Sequence, residues 1–270
     1  MTTAHVRIGV IGGSGLYRLG TAARASQVTT PFGEPSDAIS FSAVAGTEVA
    51  FIPRHGRDHT IPPHRINHRA NLWALRSIGV ERVLAPSAVG SLRLEVAPGD
   101  VVICDQFIDH TGGRHHSTYF DGPEVAHATM ADPYCPELRS LAADVCREVG
   151  FTVHAGGTVT VVGGPRFSTR AESRRFRAEG GDVINMTQFP EVALARELGL
   201  CYVNLSLVTD YDAGIEELPD HPAVSQEDVM AAFAKHTDAL REALAELVAR
   251  AAGGRRGCRC ADLRAVPLAH

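Results

Sequence analysis

The chain has 270 residues, 44% of them hydrophobic and 21% charged, with a formal net charge of −5. That composition belongs to a soluble globular protein with a full core, long enough for one α/β domain or two small ones. It argues against a nucleic-acid binder, whose footprint is basic, and no stretch approaches the ~20 consecutive apolar residues of a membrane span.

The N-terminal stretch MTTAHVRIGVIGGSG lacks a long apolar run closed by small residues, so it does not read as a secretion signal. Its apolar run 6–11 predicts a strand that ends in Gly12-Gly13-Ser14-Gly15. A glycine-rich turn after a strand offers backbone N–H groups, here with a serine hydroxyl, to an anion. The residues leave a phosphate cradle and a plain tight turn both open. A dinucleotide fingerprint fails, because its third glycine falls on Arg18.

A second strand, 49–52, runs into Pro53-Arg54-His55-Gly56-Arg57-Asp58-His59. In α/β sheets ligands gather beyond the carboxyl ends of strands, so Arg54 is a candidate two-pronged phosphate ligand and His55 a further donor. The plain alternative for His55, His59, His64 and His68 is a surface loop followed by a helix face. Zinc is disfavoured, since HxxxH stands here without the HExxH glutamate or a third ligand. A helix is expected over 67–77 and a strand over 82–86, running into the small residues Ser87, Ala88, Val89 and Gly90. Small side chains let backbone approach a ligand.

Further strands are expected at 101–105, 158–162, 182–186 and 200–207, and helices at 136–149, 170–178, 191–198 and 226–252. Strand 158–162 leads to Gly164-Pro165-Arg166-Phe167-Ser168, which pairs an aromatic ring with a hydroxyl. Strand 182–186 delivers Met186 and Thr187. Strand 200–207 ends in Thr209-Asp210-Tyr211-Asp212, whose two carboxylates at i, i+2 can lie side by side. Each segment alone also has the bland reading of an ordinary turn. Together they supply anion donors, an aromatic platform and acidic groups, a set that suits a nucleoside plus an anion.

Strands alternating with helices imply a largely parallel sheet in one domain, 1–253, followed by a polar tail, 254–270. Segments 31–37 and 213–223 read as loops. Four of the six cysteines sit in apolar contexts, as buried thiols in a reducing cytoplasm do. The tail pair Cys258-Arg-Cys260 reads as exposed thiols or as a redox or disulfide pair. Metal is disfavoured there, because a lone CxC lacks a second pair of ligands.

The blocks IGVIGGSGLY, TPFGEPSDA, PRHGRDHTIPPHRINHRANLWAL, GSLRLEVAPGDVVICDQFIDHT, GPRFSTRAES and DVINMTQFPEVALARE, in this order, make the chain resemble the methylthioadenosine phosphorylase branch of the trimeric purine nucleoside phosphorylases from about Arg7 to Ala213. The resemblance implies a single α/β domain with a mixed, partly barrel-like sheet flanked by helices. It implies a cytoplasmic homotrimer, or a dimer of trimers, that uses a purine nucleoside and inorganic phosphate and needs no metal or organic cofactor. Ser14, Arg54, His55, Ser87, Thr187 and the Ala88 backbone then correspond to the phosphate site. Met186 corresponds to the ribose face, Phe167 to the base-stacking ring, and Ser168, Asp210 and Asp212 to the purine edge. His59, and His127 from a neighbouring subunit, correspond to the 5′ end of the sugar.

By this resemblance Asp210 is the acid that protonates purine N7, kept neutral by like-charge repulsion from Asp212. Ionised Asp212 accepts from a 6-amino group, which favours adenine nucleosides over 6-oxopurines. The chain departs from the pattern at Gln226, where a residue apolar in methylthioadenosine-type members faces the 5′ sulfur, and in the open stretch after Asp212. A 5′ hydroxyl, hydrogen or halogen is thereby admitted. The rival readings are a 6-oxopurine phosphorylase, a nucleosidase using water, a dinucleotide-binding protein, and a purine binder without turnover.

Overall fold

The computed structural model describes residues 6–113, 116–213, 215, 224–253 and 257–265. In chain order these form β1 (Ile8–Gly12), β2 (Arg24–Ser26), β3 (Ile39–Val44), β4 (Thr47–Pro53), α1 (His68–Ser77), β5 (Arg82–Ser91), β6 (Val101–Val102) and β7 (Gln106–His110). There follow α2 (Pro136–Val149), β8 (Val153–His154), β9 (Thr158–Val162), α3 (Arg170–Ala178), β10 (Val183–Asn185), α4 (Gln188–Glu197), β11 (Cys201–Asp210) and α5 (Gln226–Ala252). Most of the expected loop 213–223 lies outside the described residues.

All these strands join one sheet of order β2-β3-β4-β1-β5-β10-β9-β7, with β11, β6 and β8 branching from β5. The sheet is mixed, which corrects the largely parallel arrangement inferred from strand–helix alternation. β1 pairs parallel with β4 and β5, whereas β10 runs antiparallel to β5 and β3 antiparallel to β4. Two apolar cores flank it. One is built on α2 and α5, with Leu138, Leu240, Leu244 and Leu247 fully buried. The other is built on α1 and α4, with Leu72, Leu75, Val192 and Leu194.

The helix termini are specified locally. Ser225 and Asp228 form a reciprocal capping box at the start of α5, and Thr169 and Glu172 do the same for α3. At α4 the residue before Pro190, Phe189, is extended (φ −105°, ψ 135°), so regular helix begins at the proline.

One topological feature creates the site. β5 is the hub, and β11 follows one of its edges over the whole length. The other edge is shared: β1 pairs only with Arg82, Val83 and Leu84, and β10 only with Gly90 and Ser91. Between them the two neighbours splay apart and leave this edge of β5 around Ser87 and Ala88 without a strand partner among the described residues. Such a fork, where strands diverge, is a natural ligand crevice in an α/β sheet.

Candidate active site

A cleft of about 540 Å³ opens at this fork. It is bounded by the turn after β1, the loop after β4, the centre of β5, the ends of β9, β10 and β11, and the first turn of α5. Every candidate residue except one lines it: Ser14, Arg54, His55, His59, Ser87, Ala88, Phe167, Ser168, Met186, Thr187, Asp210 and Asp212. His127 is exposed and lies outside the cleft of its own chain.

The glycine turn is shaped by packing. A Cβ at Gly15, whose φ is +81°, would lie 2.4 Å from the Phe233 ring of α5, and one at Gly13 would lie 2.8 Å from Arg54 Nη1. The turn therefore presses directly onto the fork, and a side chain at either position would hold it off.

Arg54 does not extend a free guanidinium fork into the cleft, which corrects the two-pronged phosphate grip. Its Nε and Nη2 donate to the Glu191 carboxylate at 2.7 and 2.8 Å, deep in the core, where both side chains are 1% exposed. Nη2 also reaches the Ile11 carbonyl at 3.4 Å, and Nη1 donates to the Pro86 carbonyl at 3.3 Å. Arg54 thus bridges β1 and β5 where their ladder has stopped, and only its Nη1 edge is left for a ligand. Burial alone would push the Glu191 carboxyl up, but the Arg54 charge and hydrogen bonds outweigh it and hold Glu191 well below the usual carboxylate range. Tyr202 and His68 add contacts to the same carboxylate.

His55 is buried, and its Nδ1 lies 2.9 Å from the Ile61 carbonyl. A carbonyl only accepts, so Nδ1 carries the proton. Burial lowers the ring to about 4, with the Arg54 charge acting in the same direction, so the imidazole is neutral at physiological pH. With the ring neutral and no ligand bound, its Nε2 is an acceptor. It suits a phosphate that still carries a proton. His59 stacks on His55 at 4.6 Å and shares a 3.0 Å hydrogen bond with the Tyr17 hydroxyl.

The hydroxyls near β5 are already engaged. Ser87 donates to Asn204 Oδ1 (2.9 Å), which Ser206 also bonds (2.7 Å), and Ser87 accepts from Asn185 (3.5 Å). Asn185 Oδ1 accepts from the Thr187 and Gln188 backbone N–H groups at the start of α4. This end of the cleft is a pre-ordered shell whose side chains are fixed by one another.

The opposite end is different. A bulge in the β11–β5 register between Val208 and Asp210 turns Asp210 into the cleft. Its two oxygens accept from the Thr209 hydroxyl (2.7 Å) and the Asp212 N–H (2.8 Å). Burial nevertheless raises its carboxyl from 3.8 to about 6. The Asp212 charge contributes in the same direction but is a lesser cause, so burial, rather than the repulsion inferred from the i, i+2 spacing, dominates. Asp212 is 4% exposed and its φ is +48°. Burial raises its carboxyl too, opposed by the Ser173 hydroxyl and the Ala213 N–H. Among the described residues neither its Oδ2 nor the Ser168 Oγ, both buried, makes a hydrogen bond of ordinary geometry, although the Ser168 hydroxyl is near enough to Asp212 to oppose the effect of burial on its carboxyl. Gly90 makes the arrangement fit: a Cβ there would stand 2.9 Å from Asp210 Oδ1 and 3.2 Å from Asp212 Cβ.

Phe167, 37% exposed, supplies an aromatic wall, and Met186 a thioether packed against Gly164. Gln226, Val229 and Met230 of α5 line the remaining side. The sequence does not single out Glu191, and it marks Gly90 only as one of a run of small residues and Asn185 only as part of a strand end. The one signal for Glu191 was an acidic residue inside the apolar run PEVALA.

The described part of the C-terminal tail also departs from expectation. Cys260 is 2% exposed and Cys258 is half-buried, so the exposed-thiol reading is wrong. Cys135 and Cys201 lie beside them and supply the second pair that the sequence reading found missing. No described helix is long and apolar enough to cross a membrane.

Comparison with known proteins agrees with this geometry. The family model described as "Phosphorylase superfamily" matches residues 7–251. An S-methyl-5′-thioadenosine phosphorylase from Thermofilum pendens is 49% identical, covering 95% of this chain and 96% of its own. A purine nucleoside phosphorylase from Streptomyces coelicolor is 52% identical, over 94% and 92%. A variant of the adenosine/methylthioadenosine phosphorylase from Schistosoma mansoni, solved with methylthioadenosine, superimposes with a TM-score of 0.84 at 38% identity, covering 93% of this chain and 92% of that one. A fork-sited cleft with a nucleoside-sized volume, on a chain matched over residues 7–251, leaves one assignment: this chain belongs to the phosphorylase superfamily, in the methylthioadenosine phosphorylase branch of its purine nucleoside phosphorylases.

Proposed function

We propose that this enzyme cleaves the bond between adenine and the ribose of 5′-methylthioadenosine with inorganic phosphate, giving adenine and a 5-methylthioribose-1-phosphate. The observation that carries the reading is Asp210, a carboxyl raised to about 6 and aimed by a bulge into a nucleoside-sized cleft. As the C1′–N9 bond lengthens, positive charge grows on the ribose and negative charge on the purine. A proton delivered from Asp210 to N7 neutralises the leaving base, and the Asp210 carboxylate remains. Phosphate, bounded by the Ser14 turn, the open edge of β5 at Ser87 and Ala88, Thr187, Nη1 of Arg54 and Nε2 of His55, opposes the ribose charge and then bonds to C1′. Charge placed in advance of the reaction is the largest catalytic contribution in such sites.

The base end supports adenine. Ionised Asp212 Oδ2, which has no hydrogen-bond partner among the described residues, accepts from a 6-amino group and would face another acceptor on a 6-oxopurine. Phe167 stacks on the base and Met186 lies against the sugar. Gln226 favours a second substrate, because an amide among Val229 and Met230 can bond a 5′-hydroxyl, so adenosine is accepted as well. The relatives' names span methylthioadenosine and broader purine nucleoside activity, in keeping with this.

We assign the active form to a cytoplasmic homotrimer in which His127, exposed and outside its own cleft, completes the 5′ end of a neighbour's site. A product assay tests the reading: methylthioadenosine, adenosine and inosine are each supplied with and without phosphate. Phosphate-dependent release of adenine is expected from the first two substrates. Preference for inosine would overturn the base assignment. Full activity in a monomer by light scattering would remove His127 from the site.

A further inference from the structure

Four cysteines from three distant parts of the sequence converge on one point. The Sγ atoms of Cys135, Cys201, Cys258 and Cys260 all lie within 4.8 Å of one another, and those of Cys201 and Cys258 are 3.3 Å apart. Three of the residues are buried and Cys258 is half-buried. Tetrahedral zinc bound through sulfur at about 2.3 Å places its ligands about 3.8 Å from one another. The cluster therefore has the count, ligand type and spacing of a closed four-thiolate site.

The surroundings are built to the same end. Cys135 is the N-cap of α2, and its Sγ accepts from the Leu138 N–H at 3.5 Å, where the helix terminus favours negative charge. Arg196 Nη1 donates to Cys260 Sγ at 3.9 Å. The backbone of the CxC segment is fixed by Glu137, whose Oε2 accepts from the Gly257 and Cys258 N–H groups at 2.6 and 3.0 Å, while its Oε1 takes Arg82. Hydrogen bonds to ligand sulfurs, and a second layer that orients the ligands, are the partners a metal–thiolate centre requires. Four thiolates and one Zn²⁺ leave a net charge of −2, which the α2 terminus and Arg196 oppose.

We propose that Cys135, Cys201, Cys258 and Cys260 bind one Zn²⁺ ion, which fastens the C-terminal segment to the start of α2 and β11. Four Zn–S bonds form, the four thiol protons pass to solvent, and no electron is transferred. Joining the same sulfurs as disulfides would instead need an oxidant. The site is structural: Cys201 opens β11 and Asp210 closes it, about 30 Å away along an extended strand. None of the four cysteines lines the cleft.

The test uses the full chain purified under reducing conditions without chelator. Elemental analysis should find one zinc per chain, and denatured protein should titrate all six thiols. Replacement by Co²⁺ should give the near-ultraviolet sulfur-to-cobalt charge-transfer band. The variant Cys258→Ser/Cys260→Ser should lose the metal and the band and unfold at a temperature lower by at least about 2–4 °C, while keeping its phosphorolysis rate. If that variant does not fold, Cys258→Ser alone and the cobalt spectrum of the wild type decide the same point. Zinc well below one equivalent after reconstitution, no charge-transfer band, zinc retained in the variant, or fewer than six free thiols in metal-free protein would each overturn the proposal.

Discussion

The two ends of the cleft solve different problems with similar residues. At the fork, most polar side-chain groups are engaged inside the protein, Arg54 by Glu191 and two carbonyls, Ser87 by Asn204 and His55 Nδ1 by Ile61, with Asn204 Nδ2 the exception, buried without a partner among the described residues. At the far end, Asp212 Oδ2 and Ser168 Oγ are buried and make no hydrogen bond among the described residues, and two carboxyls are raised by burial. A group committed to an internal partner holds shape. A group denied one stores free energy that a matching ligand releases. The fork is therefore a rigid frame presenting backbone and edges to phosphate, and the acidic end is where discrimination and proton transfer reside.

Removing the frame should have the largest effect. Glu191→Ala leaves the Arg54 guanidinium in the core without its counter-charge, a loss of about 3–5 kcal/mol. Thermal unfolding should show a large fall in Tm, with activity lost alongside stability. A near-wild-type Tm would mean that the pair is not what holds β1 and β5 apart.

Asp210→Asn should separate the two ends most cleanly. Turnover should drop by about 10²–10⁴-fold on every purine, since the N7 acid is gone. The fold should gain stability. The native carboxyl titrates near 6 and the unfolded one near 3.8, so the native state binds more protons between those values and stability falls as pH rises through that window. The asparagine variant escapes that loss, worth up to about 3 kcal/mol above pH 6. Urea denaturation at pH 7.5 measures it. A destabilised Asp210→Asn would contradict the idea that burial of this charge is costly.

The pH profile sharpens the same point. For kcat/KM the acid must be protonated, so wild-type activity should decline as pH rises above about 6, and the ratio of wild type to Asp210→Asn should shrink in parallel. Phosphate ionisation affects both proteins equally and cancels in that ratio.

Asp212→Asn should act on choice more than on rate. The adenine-over-6-oxopurine ratio, expected at about 5- to 150-fold from about 1–3 kcal/mol of an unpaired buried group, should narrow or reverse. Competition between adenosine and inosine reads it directly. Ser168→Ala, which removes the other orphaned atom, should have the smallest effect, within about tenfold in KM.

Much of this was legible in the sequence because the signals are local. The strands entering the cleft are continuous apolar runs, the turns that follow them are small or charged, and the helix starts are written in Asn67, Thr169 and Ser225 as caps. What failed depended on distance. β3 (ISFSAV) and its short neighbour β2 pair antiparallel at the sheet edge and show no strong apolar run. The run 101–105 predicts one strand, but β6, paired with β11 and β8, ends at Val102, and β7 begins at Gln106 in a different ladder with β9. Arg54 and Glu191 are 137 positions apart, so a phosphate ligand and a core ion pair look alike in sequence. The fate of Cys258 and Cys260 depends on Cys135 and Cys201, which no local spacing reveals, and the tautomer of His55 on the conformation that brings the Ile61 carbonyl, six positions on, to its ring.

The central claim is that the frame holds phosphate as the nucleophile while the acidic end releases adenine. Incubating the enzyme with methylthioadenosine, and following adenine and sugar phosphate together as phosphate is titrated in, tests it most directly. The account predicts one sugar-1-phosphate for every adenine and negligible adenine without phosphate. Adenine released at the same rate in phosphate-free buffer, with free methylthioribose as the other product, would contradict it.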